Sequence, residues 1–321
     1  MENSTRLLWR LEENLAGRRV LVVDANDPEL ADLPAEQVYL HADDYTVGAH
    51  QWAPLPTLPE GTDLVILPLP KSSERLELLL RGLAGSVKQP LEVWLVGPAK
   101  GGIRGGVTRL SRHADAVTLM DSARHCKVYR GALRPGPALS LEQLESVVRV
   151  DHLDVISYPG VFSHGRLDEG TALLLRALAE AAPRGKALDM GCGCGVITAA
   201  LAHAGCNVTG TDVSATAVAA ARATLDRNQL QGKVVGGDLY GGVEGRYRTL
   251  VTNPPFHDGR DRTTSITRRL IEQAPGHLQE DGEFWMVANR ELPYVQWLDA
   301  AFRHVQVVSE TNRFRVYRAL R

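Results

Sequence analysis

At 321 residues the chain is long for one domain and suits two of about 150 residues each. With 44 % hydrophobic and 23 % charged residues it is globular, which excludes the disordered, collagenous and coiled-coil classes. The net charge of −2 gives no global basic field, and the longest apolar runs, 64–70 and 94–98, fall far short of the roughly 20 residues that span a bilayer. The start, Met1-Glu-Asn-Ser-Thr-Arg, has no basic-then-apolar signal layout, so a cytoplasmic protein is expected. Cys126, Cys192, Cys194 and Cys206 have neither zinc-finger nor disulfide spacing, which fits a reducing compartment and no metal.

Charge is unevenly spread. Residues 1–63 hold four Lys/Arg against twelve Asp/Glu, a net of −8, whereas residues 97–134 hold eight against two, a net of +6. The second stretch can face phosphates. The chain also repeats itself. Segments 63–70, 91–96 and 127–134 recur in the same order at 249–256, 282–287 and 315–321, offset by 186 to 191 residues. A duplicated α/β domain follows: residues 1–135, a connector over 136–155, and residues 156–321. In the second copy, strands are predicted at 186–190, 207–212, 233–236, 248–252, 282–288, 305–310 and 314–319. Helical patterns separate the early ones, at 196–204 and at 214–228 with Ser214 as N-cap. Strands alternating with helices imply a parallel, doubly wound sheet. The short turn at 311–313 makes the last two strands an antiparallel hairpin.

The chemistry concentrates in the second copy. Ala187-Leu-Asp-Met-Gly-Cys-Gly-Cys-Gly-Val196 reads as a strand, a glycine loop and a helix start. Gly191, Gly193 and Gly195 let a ligand approach backbone N–H groups there. The next strand ends at Asp212, where a carboxylate can grip ribose hydroxyls, and the third is followed by Asp238, placed to accept from an adenine amine. Dinucleotide and S-adenosylmethionine (SAM) sites share this logic. The G-x-G-x-G spacing and the acid Asp189 just before the loop favour SAM over NAD, because an acid repels a pyrophosphate and attracts an ammonium. At the end of the fourth strand stands Asn253-Pro-Pro-Phe256. The prolines hold the Asn253 side chain and the Pro254 carbonyl rigidly, and both oxygens can accept from one exocyclic –NH₂. Accepting both protons frees the nitrogen lone pair to face a methyl donor, and Phe256 offers a stacking face for a base.

These residues, in this order, resemble class I SAM-dependent amino-methyltransferases, with seven strands and the seventh antiparallel. The segment Tyr158-Pro-Gly-Val-Phe-Ser-His-Gly-Arg-Leu-Asp168, the box Asn253-Pro-Pro-Phe-His-Asp-Gly259 and the duplication are similar to the bacterial rRNA guanine-N2 methyltransferases of the RsmC family, over nearly the whole chain. The resemblance implies two tandem Rossmann-like methyltransferase domains and methylation of a guanine N2 in 16S rRNA on the 30S subunit; the internal duplication suits a self-sufficient monomer. It assigns Asn253, Pro254 and Phe256 to the target base, Asp212 to the ribose, Asp238 to adenine, and Asp189 with Gly191–Gly195 to the methionine end of SAM. Phe162 and His164 would close over the cofactor, and His257 would contact the base or a backbone. An RlmG-like large-subunit enzyme remains an alternative, as do methylation of protein glutamine and of adenine N6.

The first copy lacks the three glycines after its first strand and has Leu67 where Asn253 stands, so it is expected to bind no SAM. It keeps the cationic segment, where Lys100-Gly-Gly-Ile-Arg-Gly-Gly106 would bring backbone N–H groups to phosphates. Lys100, Arg104, Arg109 and Arg112 are the RNA candidates there. Arg260, Arg262, Arg268 and Arg269 are the candidates after the box.

Overall fold

The computed structural model describes residues 1–254, 260–291 and 294–321, the side chains of 260–263 excepted. The chain divides into two units, Met1–Leu144 and Glu145–Arg321. In the first, helices α1 (Asn3–Trp9) and α2 (Glu12–Leu15) precede strands β1 (Arg19–Val22), β2 (Gln37–Ala42), β3 (Gln51–Trp52) and β4 (Leu64–Pro68). Helix α3 (Ser73–Ser86), β5 (Leu91–Pro98), α4 (Ile103–His113), β6 (Ala114–Ala123) and β7 (Cys126–Leu133) complete it. The sheet order is β3-β2-β1-β4-β5-β7-β6, with β7 antiparallel to both neighbours. Every residue of β4 is buried, as expected of a central parallel strand covered on both faces.

The second unit opens with a two-stranded hairpin, β8 (Ser146–Val150) and β9 (Leu153–Ser157). Residues 136–155, read from sequence as a connector, therefore carry strand structure over their second half. Next come α5 (Glu169–Ala181), β10 (Lys186–Met190), α6 (Val196–His203), β11 (Asn207–Asp212), α7 (Ala215–Arg227), β12 (Lys233–Gly236) and β13 (Tyr247–Thr252). Helix α8 (Arg260–His277), β14 (Leu278–Asn289), α9 (Val295–Ala301), β15 (His304–Glu310) and β16 (Phe314–Leu320) close the unit. Its sheet order, β12-β11-β10-β13-β14-β16-β15, repeats that of the first unit strand for strand, again with the last strand antiparallel to its neighbours. The fold class expected from sequence, two tandem seven-stranded methyltransferase-like sheets, is the one observed.

Side chains repeat as well. Trp94 Nε1 donates to Glu92 at 2.8 Å and Trp285 Nε1 to Glu283 at 3.1 Å. Each tryptophan lies opposite an arginine of the antiparallel strand, Arg130 in one unit and Arg318 in the other. Trp94 is fully buried in a core formed by α1, α2 and one face of the sheet.

In the glycine-rich segment 100–106, Gly102, at φ 95°, caps α4, and Gly105 and Gly106 lie inside that helix. A Cβ on Gly106 would come within 2.7 Å of Leu69 and 3.1 Å of Leu95, so this glycine serves close packing of helix on sheet.

Truncating Trp94 to alanine is expected to cost about 3–5 kcal/mol, whereas the half-exposed Trp52→Ala should cost under about 1 kcal/mol. Urea titration of the full chain, comparing midpoints of the first transition, checks both.

Candidate active site

Strand order reverses between β10 and β13, the place where open α/β sheets form a crevice beyond their carboxyl ends. Four stretches of chain meet that edge in the second unit: the glycine turn after β10, Asp212 ending β11, Asp238 just after β12, and Asn253-Pro254 after β13. The glycine turn is pinned from below, since the N–H groups of Gly191 and Cys192 both donate to the Thr211 carbonyl, at 2.8 and 2.9 Å. Gly191, Gly193 and Gly195 all have positive φ. A Cβ on Gly195 would lie 2.7 Å from Ala221 Cα, so α6 and α7 can pack only around a glycine there. At Gly191 and Gly193 a Cβ would meet nothing within 4 Å, which leaves open space above the turn.

Asp212 is held by its own loop: Gly193 N–H donates to one carboxylate oxygen and Ser214 N–H to the other, both at 2.9 Å. Ser214 also caps α7, its Oγ accepting from Ala217 N–H. Asp189 is fully buried. Thr198 Oγ1 donates to its Oδ2 at 2.6 Å, and its Oδ1 is buried with no partner. Burial pushes the Asp189 carboxyl up to about 7, with the nearby Asp212 charge adding to the effect. Burial also raises the Cys192 and Cys194 thiols, which are therefore protonated and chemically quiet.

Asn253 follows β13, whose Thr252 ties back to β10 through a 2.9 Å bond to the Met190 carbonyl. Its amide Nδ2 donates to Thr171 Oγ1 at 2.7 Å and to Asp168 Oδ2 at 3.1 Å. Asp168 is the N-cap of α5. The amide oxygen of Asn253, like Asp189 Oδ1, is buried and has no partner among the described residues. An acceptor left so costs about 1–3 kcal/mol unless a ligand satisfies it. Pro254 is buried beside it.

The other sequence-predicted residues fall as follows. Phe162 lies on a turn and is 53 % exposed. His164 Nδ1 is 2.8 Å from Ser157 Oγ, at the end of β9. Asp238 pairs with Arg269 at 3.0 Å, and Arg268 pairs with Glu272 at 2.7 Å, so both arginines already have acidic partners in their own unit. Lys100, Arg104 and Arg112 are exposed at and along α4, and Arg109 is half-buried. Phe256, His257 and the side chains of Arg260 and Arg262 lie outside the described residues. Sequence reasoning assigned no role to Asp168, Thr171 or Thr198, although an Asp three residues ahead of Thr171 at a helix start was a visible capping signal.

The first unit answers the same positions differently. The paired residues Val22/Ile66 and Met190/Thr252 set the two units in register. By that register Leu21 stands where Asp189 does, Leu67 where Asn253 does, and His41 where Asp212 does. Leu21 and Leu67 are buried in the core. His41 is fully committed: its Nδ1 accepts from Asp24 N–H at 3.1 Å and its Nε2 lies 2.8 Å from the Ala53 carbonyl. Burial lowers its pKa, which keeps the ring neutral. The buried Arg75 guanidinium donates to Asp24 Oδ1 and to the Pro54 carbonyl, filling this corner with protein partners.

Comparison with known proteins agrees with both halves of the architecture. The Methyltransferase small domain family model matches residues 152–318, and the Methyltransferase small domain N-terminal model matches residues 5–146. The chain is 59 % identical to the Ribosomal RNA small subunit methyltransferase C of Alcanivorax borkumensis, over 100 % of this chain and 99 % of that one. It is 39 % identical to the protein of the same description from Salmonella gallinarum, over 80 % of this chain and 75 % of that one. A T. thermophilus 16S rRNA N2 methyltransferase, solved in complex with AdoMet and guanosine, shares the fold with a TM-score of 0.82 at 23 % identity, over 98 % of this chain and 92 % of that one. The residues present fit a SAM cofactor: an open glycine turn, an acid at the end of β11, and a buried carboxylate oxygen wanting a donor.

That fit sets a pH dependence. Asp189 keeps its proton up to about 7 in the folded chain against 3.8 ordinarily. Its contribution to stability is therefore full below 3.8 and is lost as the pH rises through 7. If Asp189 Oδ1 takes the cofactor's ammonium, which demands the charged carboxylate, SAM affinity should rise about tenfold from pH 5.5 to 7 in the wild type. In Asp189→Asn it should be weak and flat. Isothermal titration calorimetry across that range reads the difference.

Proposed function

The chain belongs to the ribosomal RNA small subunit methyltransferase C family, and from that premise we propose that it methylates the exocyclic N2 amine of a guanine in 16S rRNA, using SAM and acting on the 30S subunit. The observation that carries this reading is the buried, partnerless Asn253 amide oxygen at the crevice edge, beside the glycine turn. It is an acceptor for which the described residues supply no donor.

Asn253 Oδ1 takes one proton of the amine, and the Pro254 carbonyl, next along the chain, takes the other. Drawn by two acceptors, the amine gives up conjugation with its ring and turns its lone pair outward. Phe256 stacks on the base. Asp189 and the 191–195 turn would hold the methionine end of the cofactor, Asp212 its ribose and Asp238 its adenine, and Phe162 would cover it. The cofactor supplies a methyl group on a positively charged sulfur, so the amine needs no prior deprotonation. Asn253 and Pro254 are neutral acceptors: they orient the amine and leave its proton to depart afterwards. The corner contributes chiefly by positioning, which can supply several kcal/mol of a methyl-transfer barrier. A stacked guanine cannot enter such a corner, so the target is unpaired or flipped out.

In this reading the first unit contacts RNA through Lys100, Arg104, Arg109 and Arg112, and Arg260, Arg262, Arg268 and Arg269, which follow the Asn253 box in sequence, are the second unit's RNA contacts. The register comparison supports a first unit that binds no SAM. We read the protein as a cytoplasmic monomer whose second copy is built in; among the described residues no helix is long and apolar enough to cross a membrane.

Labelled SAM should mark wild-type reactions with unmodified 30S subunits, and Asn253→Ala should lower that transfer by at least about a thousandfold. Label on 50S subunits alone would move the assignment to large-subunit rRNA, and label in protein alone would end the RNA reading. The pair Lys100→Glu and Arg104→Glu should raise KM for 30S severalfold and flatten its salt dependence by about two phosphate contacts, leaving SAM affinity unchanged. Titrations at three salt concentrations decide it.

A further inference from the structure

We infer that Asp168 and Thr171, at the first turn of α5, are positioning residues that lock the Asn253 amide with its oxygen toward the substrate, and so make the corner selective for an amine over a carbonyl. The inference rests on the proposed amine-methylation reading. A primary amide is nearly symmetric in shape, and a half-turn about its last bond would present an N–H donor where the amine must bind. Such a corner would repel an –NH₂ and welcome the O6 edge of the same guanine.

The structure removes that freedom. Asp168 Oδ2 is a carboxylate oxygen and can only accept. It takes Thr171 N–H at 2.9 Å, Thr171 Oγ1 at 3.2 Å and Asn253 Nδ2 at 3.1 Å. Because the Thr171 hydroxyl spends its proton on Asp168, it too offers only a lone pair to Asn253, at 2.7 Å. Both neighbours are thus acceptors, and only the NH₂ end of Asn253 can face them. Its oxygen is left on the other side, buried and partnerless. The arrangement spans 85 residues of sequence, so it ties the start of α5 to the end of β13. Gly170 makes room for it: a Cβ there would sit 3.1 Å from Asp168 Oδ2 and 3.3 Å from the Phe314 ring.

Asp168 also caps α5, so its removal would weaken the helix as well as the corner. Thr171 separates the two effects. It is buried, valine matches its shape without its hydroxyl, and serine keeps the hydroxyl. The experiment measures kcat with labelled SAM on unmodified 30S subunits, SAM affinity by calorimetry and thermal midpoint, for wild type, Thr171→Val, Thr171→Ser and Asn253→Ala. We expect Thr171→Val to lose about ten- to a hundredfold in kcat with SAM affinity and thermal midpoint unchanged, and Thr171→Ser to recover to within about threefold of wild type. The inference is overturned if Thr171→Val keeps wild-type kcat, if its loss is matched by a loss of SAM affinity or thermal midpoint, or if serine is as impaired as valine. A wild type that transfers no methyl group to any rRNA overturns the functional reading itself, and this inference with it. A wild type that works, with a dead Asn253→Ala and a fully active Thr171→Val, sinks only the inference.

Discussion

An amide can offer a ligand its acceptor only if something else holds its donor, and in this protein that condition organises the second unit. The Asn253 NH₂ is gripped by the cap of α5, and Thr252 just before it is tied to β10. The same strand β10 runs into the glycine turn, whose N–H groups are fixed on β11. Each grip is an ordinary hydrogen bond worth about 1 kcal/mol, yet together they bring an acceptor pair and a glycine cradle to one sheet edge. The parallel sheet makes this possible, because all its strands end on the same side at the point where their order reverses.

The duplication supplies an internal control on that architecture. Both units build the same seven-stranded order and the same Glu–Trp pair, so the scaffold does not by itself create a ligand site. What differs is a handful of side chains at corresponding positions. Leu21 and Leu67 replace two orphaned acceptors with core packing, His41 turns a ribose-type carboxylate into a neutral ring with both nitrogens engaged, and Arg75 occupies Asp24. Every one of these changes satisfies a polar group internally or removes it.

Much of this was legible in sequence because it is local. The predicted strand limits at 186–190, 207–212 and 233–236 coincide with β10, β11 and β12, and Ser214 caps α7 as its side chain and position require. The shared strand order was legible because the repeat preserves it. Three things were not. Residues 146–157 form a hairpin whose strands are short and only partly apolar, so all but its last two residues read as connector. Gly106 reads as part of a phosphate-facing segment, while the close approach of Leu69 and Leu95 that it accommodates comes from residues distant in sequence. Asp168 looks like a helix cap, which it is; its second role depends on a partner 85 residues away that no spacing rule connects.

Among the described residues of the second unit four buried side-chain oxygens have no partner: the hydroxyls of Thr211 and Thr267, which can also donate, and the two at the crevice, Asp189 Oδ1 and Asn253 Oδ1. Natural cores satisfy the great majority of buried polar atoms, and the first unit shows that this fold can do so at the corresponding positions with leucine. Keeping Asp189 Oδ1 and Asn253 Oδ1 unpartnered on one sheet edge therefore sacrifices stability that the fold could otherwise have. A sacrifice of that kind is recovered only when donors arrive from outside, and anything that binds the native state alone stabilises it in return. On the proposed reading Asp189 Oδ1, just before the glycine turn, takes a cation once its proton has left, and Asn253 Oδ1, just before Pro254, takes an N–H. A cofactor ammonium and a substrate amine are the two donors that methyl transfer to nitrogen brings together.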